Sequence, residues 1–135
     1  MSQLHEISGC ENAERKADVV FIHGLGGDAL ATWRHGEDDS TSWPHWLGQE
    51  FPQVGVWSLG YPASPTKWMR LKGWFSEGRR DAGHSMALPD RALQVLDFML
   101  LRGLGKRPLF FICHTRRPGR QAHSPCVFRF GRSTI

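Results

Sequence analysis

Val19-Val20-Phe21-Ile22-His23-Gly24-Leu25-Gly26-Gly27-Asp28 decides the fold. The first four residues are an unbroken apolar run, three of them β-branched. A strand buried on both faces reads this way, and such strands belong to parallel sheets covered by helices. The run stops in a glycine-dense loop. Glycine lets the backbone turn sharply and brings N–H groups close to a bound atom.

Working outward, residues 4–7 read as a short edge strand. Ser42 is placed to cap a helix through Phe51, with Pro44 in its first turn and Trp43, Trp46 and Leu47 on one face. Residues 54–59 form a second strand, followed by the turn Gly60-Tyr61-Pro62. Residues 67–83 mix glycine, tryptophan and arginine without a period and read as a surface loop with one helical turn. Ser85 is a plausible N-cap for a long helix to Arg102, with Ala92, Leu93, Leu96, Met99 and Leu100 at helical spacing. Gly103 suits the position just past its end. Pro108 restarts the chain, and residues 109–113 form a third buried strand. Strands alternating with helices predict an α/β fold, a mostly parallel sheet flanked by helices, with an irregular C-terminal tail. Chemistry in such folds lies in loops beyond the carboxyl ends of the strands. Two places qualify: residues 23–28, and whatever follows Cys113.

The charge distribution changes at the second place. Residues 1–114 carry 12 Lys and Arg against 13 Asp and Glu, whereas residues 115–135 carry five arginines (Arg116, Arg117, Arg120, Arg129, Arg132) and no acid. The net +4 of the chain therefore belongs to the tail. We expect a partial domain over 1–114 and a basic, disordered tail over 115–135. No apolar run approaches the roughly 20 residues of a membrane span, and no secretory signal is expected at the start. Cys10, Cys113 and Cys126 lack metal-type spacing. We expect reduced thiols in a cytoplasmic protein, with no metal and no cofactor.

The glycine loop admits two readings. The Leu25 or Gly26 amide could serve an oxyanion hole, aimed at a developing negative oxygen. Alternatively the loop could cradle a phosphate. Gly24-Leu25-Gly26-Gly27-Asp28-Ala29 lacks the third glycine of the dinucleotide fingerprint, however, and Asp28 would repel a phosphate. The second place, Phe111-Ile112-Cys113-His114-Thr115, has the strand that a nucleophile elbow needs. It does not have the small residues an elbow needs on either side: Cys113 stands two before Thr115 and Arg117 two after, and Pro118 disfavours a helix there.

Together with Ser42-Trp43-Pro44-His45-Trp46-Leu47, Val56-Trp57-Ser58-Leu59-Gly60-Tyr61 and Ser85-Met86-Ala87-Leu88-Pro89-Asp90-Arg91-Ala92, these segments resemble lipase-like α/β hydrolases. The group is related to the glycosylphosphatidylinositol inositol-deacylase type and its bacterial homologues. The resemblance covers residues 4–114 and implies the N-terminal half of an α/β-hydrolase fold. It further implies ester hydrolysis through an acyl-enzyme in full-length relatives, on a small-molecule or lipid ester. In that group the last strand continues Ile-Cys-His-Ser-Leu-Gly-Gly-Leu, with the serine as nucleophile. Thr115 occupies the serine position, Leu25 would supply one oxyanion N–H, Gly26 belongs to the oxyanion loop, His23 supports it, and Arg116 stands where the second donor would be. With the serine and both glycines missing, and no downstream acid and histidine, the chain is expected to be inactive. An out-of-frame deletion in the serine and leucine codons would produce His-Thr-Arg-Arg-Pro, because GGC-GGC-CTG out of frame reads CGG-CGG-CCT. The expectation is a frameshifted, truncated product.

The bland alternatives are plain. His45 and His84 have no partner at useful spacing. Cys113 and His114 are neighbours on a strand and point to opposite faces, so they form no dyad. Ser124 lacks elbow glycines, and Glu37-Asp38-Asp39 reads as an exposed loop rather than a metal site. The tryptophans read as packing, with Trp33, Trp68 and Trp74 able to face an acyl-binding cleft. Two rival functions are a non-catalytic interaction module, and anionic-surface or nucleic-acid binding by the tail with Phe128 and Phe130 for stacking.

Overall fold

A computed structural model describes residues 2–24, 26–62, 88–115 and 124–130. Five strands form one sheet: β1 (Gln3–Ser8), β2 (Ala17–Ile22), β3 (Val54–Gly60), β4 (Leu109–Thr115) and β5 (Ser124–Phe130). Among the described residues two α-helices accompany them, α1 (Trp43–Glu50) and α2 (Leu88–Leu101). The strand order is β1-β3-β2-β4-β5. The three central strands are parallel, and β1 and β5 run antiparallel at the two edges.

This order explains the continuous apolar run at residues 19–22. β2 is central, so both of its faces are covered. The chain passes from β2 to β3 on one side, then back across β2 to β4 on the other. Right-handed crossovers in opposite directions put their connections on opposite faces. Accordingly, Val20, Trp57, Leu59 and Leu109 pack with Met99 of α2 and Leu104 on one face. Val19, Phe21 and Val56 pack with Trp33 and Leu47 of α1 on the other.

α1 begins where the sequence predicts, after Ser42, with Pro44 in its first turn. Ser42 has the extended backbone of a cap, but its side chain accepts no capping bond. The face that packs is not the tryptophan face. Pro44 and Gly48 are buried, and a Cβ on Gly48 would lie 2.5 Å from the Ser8 Cβ, so the helix closes on β1 through backbone. Trp43 and Trp46 remain half exposed.

α2 ends in a Schellman motif. Gly103 has φ +72, its N–H donates to the Leu100 carbonyl, and the Leu104 N–H donates to the Met99 carbonyl. Met99 is buried and Val95 packs beside it, while Leu93, Leu96 and Leu100 of the expected stripe are exposed. The helix is apolar on more than one side, and spacing alone could not tell which side meets the sheet. Ser85, its expected cap, lies outside the described residues, as does the expected loop at 67–83.

Within the tail, Ser124–Phe130 forms a strand. β4 would otherwise present an open row of N–H and C=O groups. The tail satisfies that row with an antiparallel ladder from Leu109↔Phe130 to Thr115↔Ser124. The remainder of the tail, 116–123 and 131–135, lies outside the described residues.

Candidate functional site

The parallel register of β2 and β4 pairs Ile22 with Cys113, so the two suspected places, 23–28 and 114–115, lie side by side at the carboxyl end of the sheet. This is where the direction of the connections reverses, the usual position of a ligand crevice in an open α/β sheet.

His23 is 2% exposed, and both ring nitrogens are engaged. Its Nδ1–H donates to the Gly24 carbonyl at 3.0 Å, and its Nε2 accepts the Tyr61 N–H at 3.3 Å. The rings of His23 and Tyr61 stack with centroids 4.3 Å apart, and the Tyr61 hydroxyl donates to the His23 carbonyl. Burial pushes the Tyr61 hydroxyl pKa up, with a smaller contribution from nearby Cys113. Both nitrogens of the ring thus bond within the site, one to the loop backbone and one to the start of the turn after β3.

Beyond His23 the loop is locked from within. Gly26 adopts φ +71, and the Gly27 N–H donates to the Gly24 carbonyl. A Cβ on Gly27 would meet the Thr32 Oγ1 at 2.8 Å. The Asp28 carboxylate accepts the Leu30 and Ala31 N–H groups, both at 2.9 Å, while the Asp28 N–H donates to the Thr32 hydroxyl at 2.9 Å. The Ala31 and Leu30 amides hold the Asp28 carboxyl below its usual pKa. The Leu30 and Ala31 amides are therefore already satisfied by Asp28. The Ser58 hydroxyl donates to the Ala29 carbonyl and fastens the loop to β3. Leu25 itself lies outside the described residues.

Thr115 is the last residue of β4 and pairs in register with Ser124. A nucleophile elbow demands a sharp turn at this point, from strand into helix. Here Thr115 still holds its place in the ladder with β5, opposite Ser124. The same register sets Cys113 opposite Cys126, a relation that their separation along the chain did not announce.

Next to His114 lies a cavity of about 240 Å³, lined by Trp33, Arg34, His35, Trp43, Trp46 and His114 among others. Trp33 meets Phe21 edge to face at 4.9 Å and His114 at 5.8 Å. Of the three tryptophans expected at a cleft, Trp33 lines it, and Trp68 and Trp74 fall outside the described residues. Trp43 and Trp46, read from sequence as packing, line it instead.

Among the described residues there is no group of three or more His, Cys, Asp or Glu able to hold a metal, and no helix long and apolar enough to cross a membrane. Asp38, in the acidic run, is engaged with Ser40. Arg129 of the tail is exposed. The other four tail arginines, Arg116, Arg117, Arg120 and Arg132, lie outside the described residues.

Tyr61 and Ser58 are the site residues that sequence reading missed. Tyr61 stood in plain view in a turn, but only the β2–β3 register brings it to His23.

The chain is similar to Protein SERAC1. The sequences from Bos taurus and Homo sapiens are each 29% identical to it over 115 residues, covering 74% of this chain. The Danio rerio sequence is 29% identical over 119 residues, 77% of this chain. The chain spans about a sixth of the length of these curated relatives, 16% to 17%. No family model and no solved structure matches it.

Proposed function

We propose that residues 1–114 are the amino-terminal portion of a lipase-like serine hydrolase domain, and that this chain does not hydrolyse esters. The observation that carries the second half is the course of β4. In a working relative, position 115 would hold a serine on a strained turn, with the Leu25 or Gly26 amide nearby to stabilise the tetrahedral oxyanion. Here position 115 is a threonine at the end of a regular strand, paired with Ser124. The juxtaposition of the His23 loop with the end of β4 supports the first half, together with the likeness of the chain to Protein SERAC1.

The coincidence of charge break and lost motif at residue 115 supports a frameshifted origin for the tail. Sequencing the locus tests that origin. An alternative frame encoding a hydrolase C-terminal half is expected, and its absence would overturn the origin.

Activity is tested by exposing the chain and its Thr115→Ser variant to a fluorophosphonate probe. Neither is expected to be labelled, and covalent label on residue 115 of either would overturn inactivity. The strand course is tested in the same sample. Opposed residues of an antiparallel pair have Cα atoms about 4.5–5.5 Å apart, within the range of about 4.4–6.8 Å that a disulfide spans. Oxidised glutathione should therefore link Cys113 to Cys126 and leave Cys10 unlinked. Failure to form that link would mean that β4 does not continue into β5.

A further inference from the structure

We propose that Cys113 and Cys126 form a reversible thiol–disulfide latch that fastens the tail strand β5 to the sheet, set by exchange with a small disulfide of the glutathione type. The latch rests on the β4–β5 register and is independent of ester hydrolysis. The two cysteines are direct partners in that ladder, between the pairs Ile112↔Val127 and His114↔Pro125. Directly opposed residues of an antiparallel pair share a face of the sheet, and their Cα spacing already suits a disulfide. Neither strand has to move to make the bond.

β5 is the strand for which such a bond matters. Among the described residues it pairs with β4 alone, at the edge of the sheet. Val127 is 65% exposed and Arg129 is exposed as well, so one face of β5 contributes little burial. Its Pro125 has no N–H to offer a ladder. A strand held by a single ladder opens locally far more readily than a central one. When β5 opens, the N–H and C=O groups of β4 become a free edge on which another chain can pair. The latch therefore decides whether that edge stays covered. Cys113 is in register with Ile22, the residue before His23, so the fastening also lies beside the glycine loop.

The third cysteine is a bystander. Cys10 follows β1, at the opposite edge of the sheet from β5. Its thiol donates to the Val56 carbonyl at 3.1 Å, and burial pushes its pKa up. Exchange needs the thiolate, so Cys10 reacts slowly and has no partner cysteine at its edge. At the latch, the thiolate of one cysteine attacks a sulfur of glutathione disulfide and expels one glutathione thiolate. The thiolate of the other then attacks the protein sulfur of that mixed disulfide and expels the second. Two protein thiols give up two protons and two electrons, and one glutathione disulfide leaves as two glutathione thiols.

The test uses the full 135-residue chain, oxidised with glutathione disulfide and then reduced with dithiothreitol. Arg116 and Arg120 stand between the two cysteines, so trypsin cuts there. The fragments carrying Cys113 and Cys126 should stay joined in the oxidised sample and separate on reduction. Amide hydrogen exchange over residues 109–115 should be about tenfold slower in the oxidised chain and should recover on reduction. Cys126→Ser should exchange at the reduced rate in both conditions, whereas Cys10→Ser should behave like the unsubstituted chain. Failure to join the fragments, or a link made through Cys10, would overturn the proposal. A link that left exchange over 109–115 unchanged would overturn the latch while leaving the course of β4 intact. Covalent probe label on residue 115 would bear on activity alone. If Cys126→Ser loses its circular dichroism, reversal by dithiothreitol in the unsubstituted chain still decides.

Discussion

The two ends of the central strands are held by different means. At the amino end of β2, Asp18 is wholly buried, paired with Arg15 at 2.7 Å and bonded by the Trp57 Nε1–H at 3.0 Å. Arg15 is itself 7% exposed and lies over the Trp57 ring. Gly55 leaves room for this pair: a Cβ there would sit 2.5 Å from the Asp18 Oδ1. At the carboxyl end there is no buried ion pair among the described residues. The glycine loop is held by neutral hydrogen bonds through His23, Tyr61 and Ser58, and a cavity lies next to it. One end spends its polar groups on closure, and the other keeps its geometry while staying open. In an open α/β sheet the open end is the one that handles ligands.

The largest expected effect breaks the closed end. Asp18→Ala leaves the Arg15 guanidinium buried without its carboxylate, and should cost about 3–5 kcal/mol in urea denaturation. The pair is not an ideal one, because Asp18 Oδ2 has no partner among the described residues. Replacing both partners with apolar residues, Arg15→Met with Asp18→Leu, should therefore be near neutral or stabilising. A double variant as unstable as Asp18→Ala would show that the pair is needed for more than its charge balance.

At the open end the corresponding residue is His23. His23→Ala removes a buried ring, the acceptor of the Tyr61 N–H and the stacking partner of Tyr61. We expect a loss of about 2–4 kcal/mol, smaller than for Asp18→Ala because no charge is stranded. His23→Gln, which can still accept a hydrogen bond, should lose less. Equal losses for alanine and glutamine would mean that the ring, not the bond to Tyr61, holds the loop.

How far sequence could take this comparison follows from which parts are local. The central strands were legible because residues 19–22 and 109–113 are continuous apolar runs, and burial on both faces leaves that trace. The start of α1 was legible in Ser42-Trp43-Pro44, and the end of α2 in Gly103. The packing faces of both helices were not. α1 meets the sheet through Gly48, which carries no hydropathy signal, as well as through Leu47, and α2 is apolar on more than one side. β5 was illegible because its strand depends on the open edge of β4, a partner that Pro125 and Arg129 give no sign of. The site divides in the same way. His23, Gly26 and Thr115 were candidates by motif, whereas the Tyr61 contact with His23 and the Trp43–Trp46 wall arise from register and helix orientation. The Asp18–Arg15 pair lies three residues apart in sequence, and its burial depends on Gly55 from another strand.

The smallest effect tests whether the open end is as neutral as it looks. Asp28 is its one carboxylate tied to the glycine loop, and it works as a local cap, not as an ion-pair partner. Asp28→Ala should cost about 1 kcal/mol, the usual magnitude for losing such a cap. The amides of Ala31 and Leu30 lower its pKa from the ordinary 3.8. A lowered carboxylate contributes stability that is present above its unfolded value and lost as pH falls through its folded value. The gap between the unsubstituted chain and Asp28→Ala should thus be constant near neutrality and shrink as pH drops below about 4. Asp28→Asn keeps one acceptor oxygen and cannot titrate, so its own cap should show no such acid limb. A gap that stayed constant down to about pH 2 would mean that the carboxylate charge does nothing for the loop. In that case Asp28 acts only through the shape of its turn, and the contrast with Asp18 at the other end of the strand becomes complete.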